Sequence, residues 1–263
     1  MIDIHHHCLP GVDDGPRSMS EAEDLCRMAA AEGIDTIVAT PHVLRGRWQN
    51  TSRERLEDLL AQLSSSLGGS PRLLLGSEYW FGHDMDEVLR AGHPIIPLAG
   101  GRSVLVEFPS QAMPLLATQP LHRSQLDGWL PILAHPERND VLRAKPELLI
   151  SLLRMGIRAQ VTAGSLIGEF GREAQQAGLD WIKAGLVHVV ATDAHNCKKR
   201  PPQFRRAWER VAETCGEPVA RALFVDNPLA IVEGRELPYD PEIPDRLRRP
   251  GLFERFRRLV RPF

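Results

Sequence analysis

Side chains that ligate divalent cations recur in this sequence at the ends of apolar runs. His5 and His7 close the run at 2–7, His42 closes that at 36–42, and Glu78 stands near the end of 73–80 in Gly-Ser-Glu-Tyr-Trp. Glu107 comes at the end of 104–108, His135 closes 131–135, and Asp193 and His195 follow 187–192. Imidazole and carboxylate donors without thiolate suit Mn, Fe, Zn or Co. Asp13 and Asp14 lie just beyond the first run and could swing back over it. Roughly nine donors would then serve two or three ions, where a single ion needs only about four. An isolated surface or core polar residue is the plainer explanation for any one of these positions. It fails for the set, because packing several carboxylates together without a cation buries like charges.

If each run is a strand, spacing decides which groups meet. Side chains alternate along a strand, so His5 and His7 share one side and His6 takes the other as a structural residue. Asp193 and His195 share a side in the same way if the chain stays extended. Strands are expected at 2–7, 36–42, 73–80, 104–108, 131–135, 158–163 and 187–192. Several are continuously apolar, such as Ile37-Val38-Ala39, as parallel strands covered on both faces are. Ser18-Met19-Ser20-Glu21 reads as a capping box, opening a helix that Gly33 ends and that turns Ala22, Leu25 and Met28 or Ala29 inward. Further helices are expected at 53–67, 146–155, 173–184 and 204–215. The alternation implies an α/β fold, either a closed parallel barrel or an open parallel sheet. In a barrel all strands point one way and their carboxyl ends carry the donors to one rim, where barrel enzymes keep their sites.

A chain of 263 residues can bury one large core or two small ones. Its formal net charge of −2 leaves no basic field for nucleic acid. Cys8, Cys26, Cys197 and Cys215 are scattered without a CxxC pair, which suits a reducing cytoplasm. No secretory leader is expected, and no apolar run approaches the ~18 residues of a membrane span. After Pro238 the texture changes: 239–244 reads as a linker and 246–263 as a basic amphipathic tail, with Leu252, Phe253, Phe256, Leu259, Val260 and Phe263 able to share one face. The expected division is therefore a barrel at 1–237 and a linker with tail at 238–263. The tail either packs on the barrel or meets an anionic membrane surface or a partner's acidic segment.

Taken together, His-x-His near the N-terminus, Thr-Pro-His (40–42), Gly-Ser-Glu (76–78), Val-Glu-Phe (106–108), Ala-His-Pro-Glu-Arg (134–138) and Thr-Asp-Ala-His (192–195) resemble the PHP superfamily, named for polymerase and histidinol phosphatase. Ile-Asp-Ile-His-x-His followed by Val-Asp-Asp-Gly-Pro (12–16) resembles, within it, the bacterial capsule-operon tyrosine-protein phosphatases. Gln-Val-Thr-Ala-Gly-Ser-Leu (160–166), His-Asn-x4-Pro-Pro (195–202) and Asp-Asn-Pro (226–228) extend that match over about residues 1–235. The resemblance implies a distorted TIM-like (β/α)7 barrel of PHP type holding three divalent transition-metal ions, manganese foremost, with Fe, Zn or Co as alternatives. His5, His7, Glu78 and Asp193 would hold the first ion. Glu78 would bridge to a second, completed by Glu107 and His135, and Asp14, His42 and His195 would hold the third. Spacing does not choose between Asp13 and Asp14; the resemblance does. Arg138 and Arg200 would clamp the substrate phosphate, since arginine donates two hydrogen bonds where lysine cannot.

The substrate so implied is phosphotyrosine on an autophosphorylated bacterial tyrosine kinase that governs capsule or exopolysaccharide synthesis. Clustered divalent cations neutralise and align such an ester and lower the pKa of a water toward ~7. A bound water, Asp193 or a nearby histidine could protonate the leaving group. Two rival readings are a small-molecule phosphatase of the histidinol-phosphate type and a metal-bound accessory module without catalysis. One further motif competes: Cys215 to Arg221 matches Cys-x5-Arg, the signature of cysteine-dependent tyrosine phosphatases. That signature needs a strand before the cysteine and a helix opening after it. Cys215 instead ends a helical stretch, so the match is expected to be fortuitous.

Overall fold

The computed structural model describes residues 1–243 other than 83, 93 and 115. Every expected strand forms, and two of them break in the middle. The strands are Ile2–His6 (β1), Thr36–Ala39 (β2), His42–Val43 (β3), Arg72–Leu75 (β4), Glu78–Trp80 (β5), Ser103–Glu107 (β6), Leu130–Ala134 (β7), Arg158–Thr162 (β8) and Val189–Ala191 (β9). The break between β2 and β3 falls at Pro41, which has no N–H for a ladder. That between β4 and β5 falls at Gly76. A Cβ there would stand 2.8 Å from Leu98 Cδ2 and 3.1 Å from Val38 Cγ1, so glycine alone fits.

All strand neighbours pair in parallel, in the orders β1-β2-β4 and β3-β5-β6-β7-β8-β9. β9 meets β1 through Asp193 N–H donating to His5 O at 2.8 Å and His7 N–H donating to Ala194 O at 2.9 Å. With β3 continuing β2 and β5 continuing β4, the segments close a distorted seven-stranded β/α barrel.

Alternation sorts the lumen into two levels. Ile2, Ile4, Val38, Leu105, Ile132, Ala134, Val189 and Ala191 pack with Leu98 and Ile231 as a dry floor. Toward the carboxyl ends the same faces turn polar: Glu78 follows Leu74 and Gly76, Glu107 follows Leu105, and Asp193 follows Ala191. β1 makes this change with a bulge, its register on β2 slipping between Asp3 and His6. Without the bulge, Ile2 and Ile4 would face opposite to His5 and His7. With it, the apolar pair joins the floor and both histidines reach the mouth. His6 is buried with neither ring nitrogen hydrogen-bonded among the described residues, and burial pushes its pKa down to about 3.

A larger apolar set lies between the strands and the surrounding helices. Helices Met19–Ala31, Arg53–Ser66, Pro146–Arg154, Arg172–Lys183 and Phe204–Cys215 stand close to their expected places. The first buries Ala22, Leu25, Cys26 and Ala29, and Ser18 Oγ caps it by accepting from Glu21 N–H. Glu21 accepts from Arg17 N–H, one residue before the position a capping box would use. Shorter helices at Met85–Ala91, Thr118–Leu126 and Asp140–Ala144 were not foreseen. At the amino ends of the strands, Tyr239 N–H donates to Asn227 Oδ1 at 3.0 Å and Arg158 pairs with Asp240 at 2.6 Å. The tail expected at 246–263 lies outside the described residues. Among the described residues, no helix is long and apolar enough to cross a membrane.

Candidate metal centre

The candidate ligands His5, His7, Asp14, His42, Glu78, Glu107, His135, Asp193 and His195 meet at the carboxyl-end mouth, and all but Asp14 are buried. His5 Nε2 is 3.4 Å from Glu78 Oε1 and 3.3 Å from Asp193 Oδ1. His7 Nε2 is 3.3 Å from Glu78 Oε2 and 3.4 Å from Asp193 Oδ1. Asp14 Oδ1 lies 3.2 Å from His42 Nε2 and 3.2 Å from His195 Nε2. His135 and Asp193 adopt left-handed backbone, φ 34° and 53°, a conformation that costs a non-glycine residue about 1–2 kcal/mol. The residue after inward-facing Ala134 would point outward on a regular strand, and the turn at His135 swings it into the mouth instead.

Among the described residues, three groups have ligand atoms within 4.8 Å of one another: His7, Asp14, His42 and His195; His5, His7 and Asp193; His42, Glu78 and Glu107. This partition differs from the one the resemblance implies. His7 also reaches the Asp14 group, and His42 stands where His135 was expected beside Glu78 and Glu107. His135 Nε2 is nevertheless 3.0 Å from Glu78 Oε1 and 3.8 Å from Glu107 Oε1.

Two features fit divalent cations better than a network of mutual hydrogen bonds. The outer nitrogens of three imidazoles are tied to acceptors: His5 Nδ1 to Gln160 Oε1 at 2.9 Å, His7 Nδ1 to Asp13 Oδ2 at 2.8 Å and His195 Nδ1 to Asp193 O at 3.0 Å. Each acceptor fixes the proton on Nδ1 and leaves the Nε2 lone pair turned to the cluster, as metal-binding histidines are oriented. Second, Glu78 Oε2, Glu107 Oε2 and His195 Nε2 are buried without any hydrogen bond among the described residues. Glu78 Oε2 is only 2.8 Å from His42 Nδ1, yet the angle is wrong for one. Lone pairs that crowd together without bonding to each other suit a shared cation.

The electrostatics divide the donors: burial is outweighed at His5 and His42 by the charge of Glu78 and at His7 by that of Asp13, which push these imidazoles up, while three other donors are held in the neutral form. Burial, then the charge of Glu78, push the Glu107 carboxyl up to about 8. Burial, then Arg138, push His135 down to about 4, and burial, then His7, push His195 down to about 4. Neutral imidazoles and crowded carboxyls are donors that a divalent cation ionises and holds.

Asp193 joins the cluster to two guanidiniums. Its Oδ1 faces His5 and His7, while Arg138 Nη1 and Arg200 Nη2 both donate to its Oδ2. Burial raises the Asp193 carboxyl, but Arg200, His5 and Arg138 outweigh it and hold the group well below the usual range. Arg138 rides the turn Pro136–Arg138 after β7. Buried Glu137 anchors that turn by accepting from Thr162 N–H at 3.0 Å and Ser165 Oγ at 2.7 Å.

Phe170, Gln160 and Arg45 were given no role by the sequence reading, and Asp13 was considered there only as an alternative ligand to Asp14. Phe170 lies beneath both guanidiniums, with Arg138 Cζ 4.4 Å and Arg200 Cζ 5.9 Å from its ring centre. Asp13 and Gln160 orient His7 and His5 from behind. Arg45 contacts His42 Nε2 and comes within 3.2 Å of Glu107 Oε2. Alternation along β8 would have turned Gln160 inward and could have found it; no pattern marked Phe170 or Arg45.

Cys215 ends the helix Phe204–Cys215, and Gly216 turns the chain before the next one. Burial pushes its thiol pKa up, the reverse of what a nucleophilic cysteine needs. Replacing it by Ser is expected to leave kcat/KM on an aryl phosphate within about twofold of the parent. A complete loss of turnover would make the thiol the nucleophile.

Comparison with known proteins agrees with this geometry. The family model described as capsular polysaccharide synthesis, CpsB/CapC, matches residues 1–233. The putative tyrosine-protein phosphatase CapC of Staphylococcus aureus is 36% identical over 213 residues, spanning 79% of this chain and 82% of that protein. The tyrosine-protein phosphatase YwqE of Bacillus subtilis is 38% identical over 204 residues, 76% of this chain and 79% of its own. A crystal structure from work on YwqE of Bacillus subtilis and CpsB of Streptococcus pneumoniae, described as unique metal-dependent tyrosine phosphatases, superposes with a TM-score of 0.88 at 33% identity, covering 93% of this chain and 99% of that one. The lactonase Lmo2620 of Listeria monocytogenes, at 13% identity and a TM-score of 0.53 over 89% of this chain and 94% of its own, shares the fold alone.

Proposed function

Because this chain belongs to the CpsB/CapC family of capsular polysaccharide synthesis, we propose a specific task for it: it is a metal-dependent protein-tyrosine phosphatase that dephosphorylates an autophosphorylated bacterial tyrosine kinase and so regulates capsule or exopolysaccharide synthesis. The observation that carries this reading is the meeting of five imidazoles and four carboxylates at one barrel mouth, with two arginines bonded to the innermost carboxylate. The ligands are His5, His7, Asp14, His42, Glu78, Glu107, His135, Asp193 and His195, and three divalent ions, manganese foremost, are the complement they suit. Bound there, such ions supply charge neutralisation and a water of lowered pKa.

The chain's own residues do the rest. Arg138 and Arg200 turn from Asp193 toward the phosphoryl oxygens and fix the ester in one orientation. Phe170 keeps both guanidiniums in plane by lying under them. Asp193, which the two guanidiniums hold ionised, gathers them at the mouth before the ester arrives. A phenolate leaving group, with an ordinary pKa near ~10, needs less protonation than an alkoxide would. Residues 1–237 carry this activity, and the basic tail at 246–263 brings the enzyme to the inner face of the membrane from the cytoplasm.

Turnover of a phosphotyrosine peptide measured beside turnover of histidinol phosphate tests the assignment. The peptide is expected to win by roughly 100-fold or more in kcat/KM. Preference for histidinol phosphate would make the chain a small-molecule phosphatase.

A further inference from the structure

Glu78, Tyr79 and Trp80 are consecutive on β5. Alternation sends Glu78 to the lumen, Tyr79 outward and Trp80 back to the lumen, one step nearer the rim. Trp80 pairs in register with Glu107 on β6, so its indole stands beside a candidate ligand. Over that indole lies the guanidinium of Arg45, with Cζ 4.9 Å from the ring centre of Trp80 and 5.9 Å from that of Trp48. Arg45 is carried by a tight turn in which Arg45 N–H donates to Trp48 O at 3.0 Å and Trp48 N–H to Arg45 O at 2.9 Å.

Two clefts flank the arginine pair. One is lined by Asp193, Arg200, Phe170, Lys199 and Glu169. Its one aromatic ring, Phe170, lies under the two guanidiniums that would take the phosphate, and Gly164, Thr192, Pro201 and Gln203 complete its walls. The other starts at Glu107, His135 and Arg138 and runs out to Trp80, Phe108 and Arg45. A phosphate held by Arg138 has three oxygens suited to cations and one that carries the organic group. Beyond its charged inner end the second cleft offers two rings, Trp80 and Phe108, where the first offers only the ring beneath the phosphate-binding arginines, so the second suits an aryl group.

We propose that Trp80 is a specificity-determining residue: its indole forms the wall against which the phenyl ring of the substrate phosphotyrosine lies, and Arg45 covers that ring as it covers the indole. The proposal rests on the phosphatase reading and names where that reading's substrate is recognised. Offset aromatic packing and a cation over a ring favour an aryl ester and give nothing to a small alkyl one.

The test compares kcat/KM for phosphotyrosine and for glycerol phosphate in the metal-loaded parent and in W80L, W80F and R45Q. W80L is expected to lower the phosphotyrosine-to-glycerol-phosphate ratio about tenfold, chiefly through KM for phosphotyrosine, and W80F to recover most of it. R45Q lies on the rim turn, away from the barrel core, and is expected to lower the same ratio about threefold even if W80L does not fold. A ratio unmoved in R45Q and in W80F alike, or an equal fall for both substrates, overturns the proposal and leaves Trp80 as packing for the turn. A parent chain that hydrolyses neither ester defeats the phosphatase reading itself.

Discussion

Asp193→Asn lowers kcat/KM on a phosphotyrosine peptide by on the order of 10³-fold. The substitution is nearly isosteric, and Asn is among the few residues that accept the left-handed backbone found at 193. The loss therefore comes from chemistry. The amide carries no charge to share between His5, His7 and any cation they hold, and it cannot accept from Arg138 and Arg200 as an anion does. Two guanidiniums freed from one carboxylate repel each other and lose their aim. Steady-state kinetics with elemental analysis of the same sample checks this: metal content and turnover should fall together while the circular dichroism spectrum is kept. A variant within tenfold of the parent would remove Asp193 from the centre of the mechanism.

Stripping metal has a comparable or larger effect. Exhaustive dialysis against EDTA is expected to reduce phosphotyrosine turnover by more than about 10³-fold, and added Mn²⁺ to restore it. The same treatment should lower the thermal midpoint, because an ion that binds only the folded chain stabilises it in proportion to its occupancy. The buried carboxylates Glu78, Glu107 and Asp193 supply the structural reason, since three like charges share the mouth. Elemental analysis before stripping should approach three transition-metal ions per chain. Full turnover after stripping, with Mn²⁺ making no difference, would end the metal-dependent account.

Much of this site was readable from the sequence because the donors sit where strands stop, and a parallel barrel gathers strand ends. The shared side of His5 and His7 follows from alternation, though a bulge in β1 decides that this side is the mouth. Glu78 and Glu107 follow from alternation and strand direction alone. His135 does not, since its place depends on a left-handed turn that undoes the alternation. The divided strands were hidden for another reason. Pro41 and Gly76 interrupt hydrogen bonding and packing, yet the donors His42 and Glu78 just beyond them draw each run out as a single strand in the sequence. Asp13 and Asp14 were indistinguishable because both lie in a loop. The fold separates them through their partners, His7 Nδ1 for Asp13 and the His42–His195 pair for Asp14. Phe170 and Arg45 were invisible because each reaches the site from a segment whose path no local propensity dictates.

The slipped residue in β1 makes segment length a more fragile quantity than side-chain identity. Exchanging Ile4 for another aliphatic residue keeps every later side chain in phase and disturbs only local fit. Inserting one more residue between Asp3 and His5, which the existing slip does not absorb, would rotate all that follows by half a step, turning two imidazoles toward the helices while the floor beneath them stayed intact. A lineage can therefore vary the letters of this stretch but not lengthen it, and an extra residue here would mark a barrel that has given up its chemistry while keeping its shape.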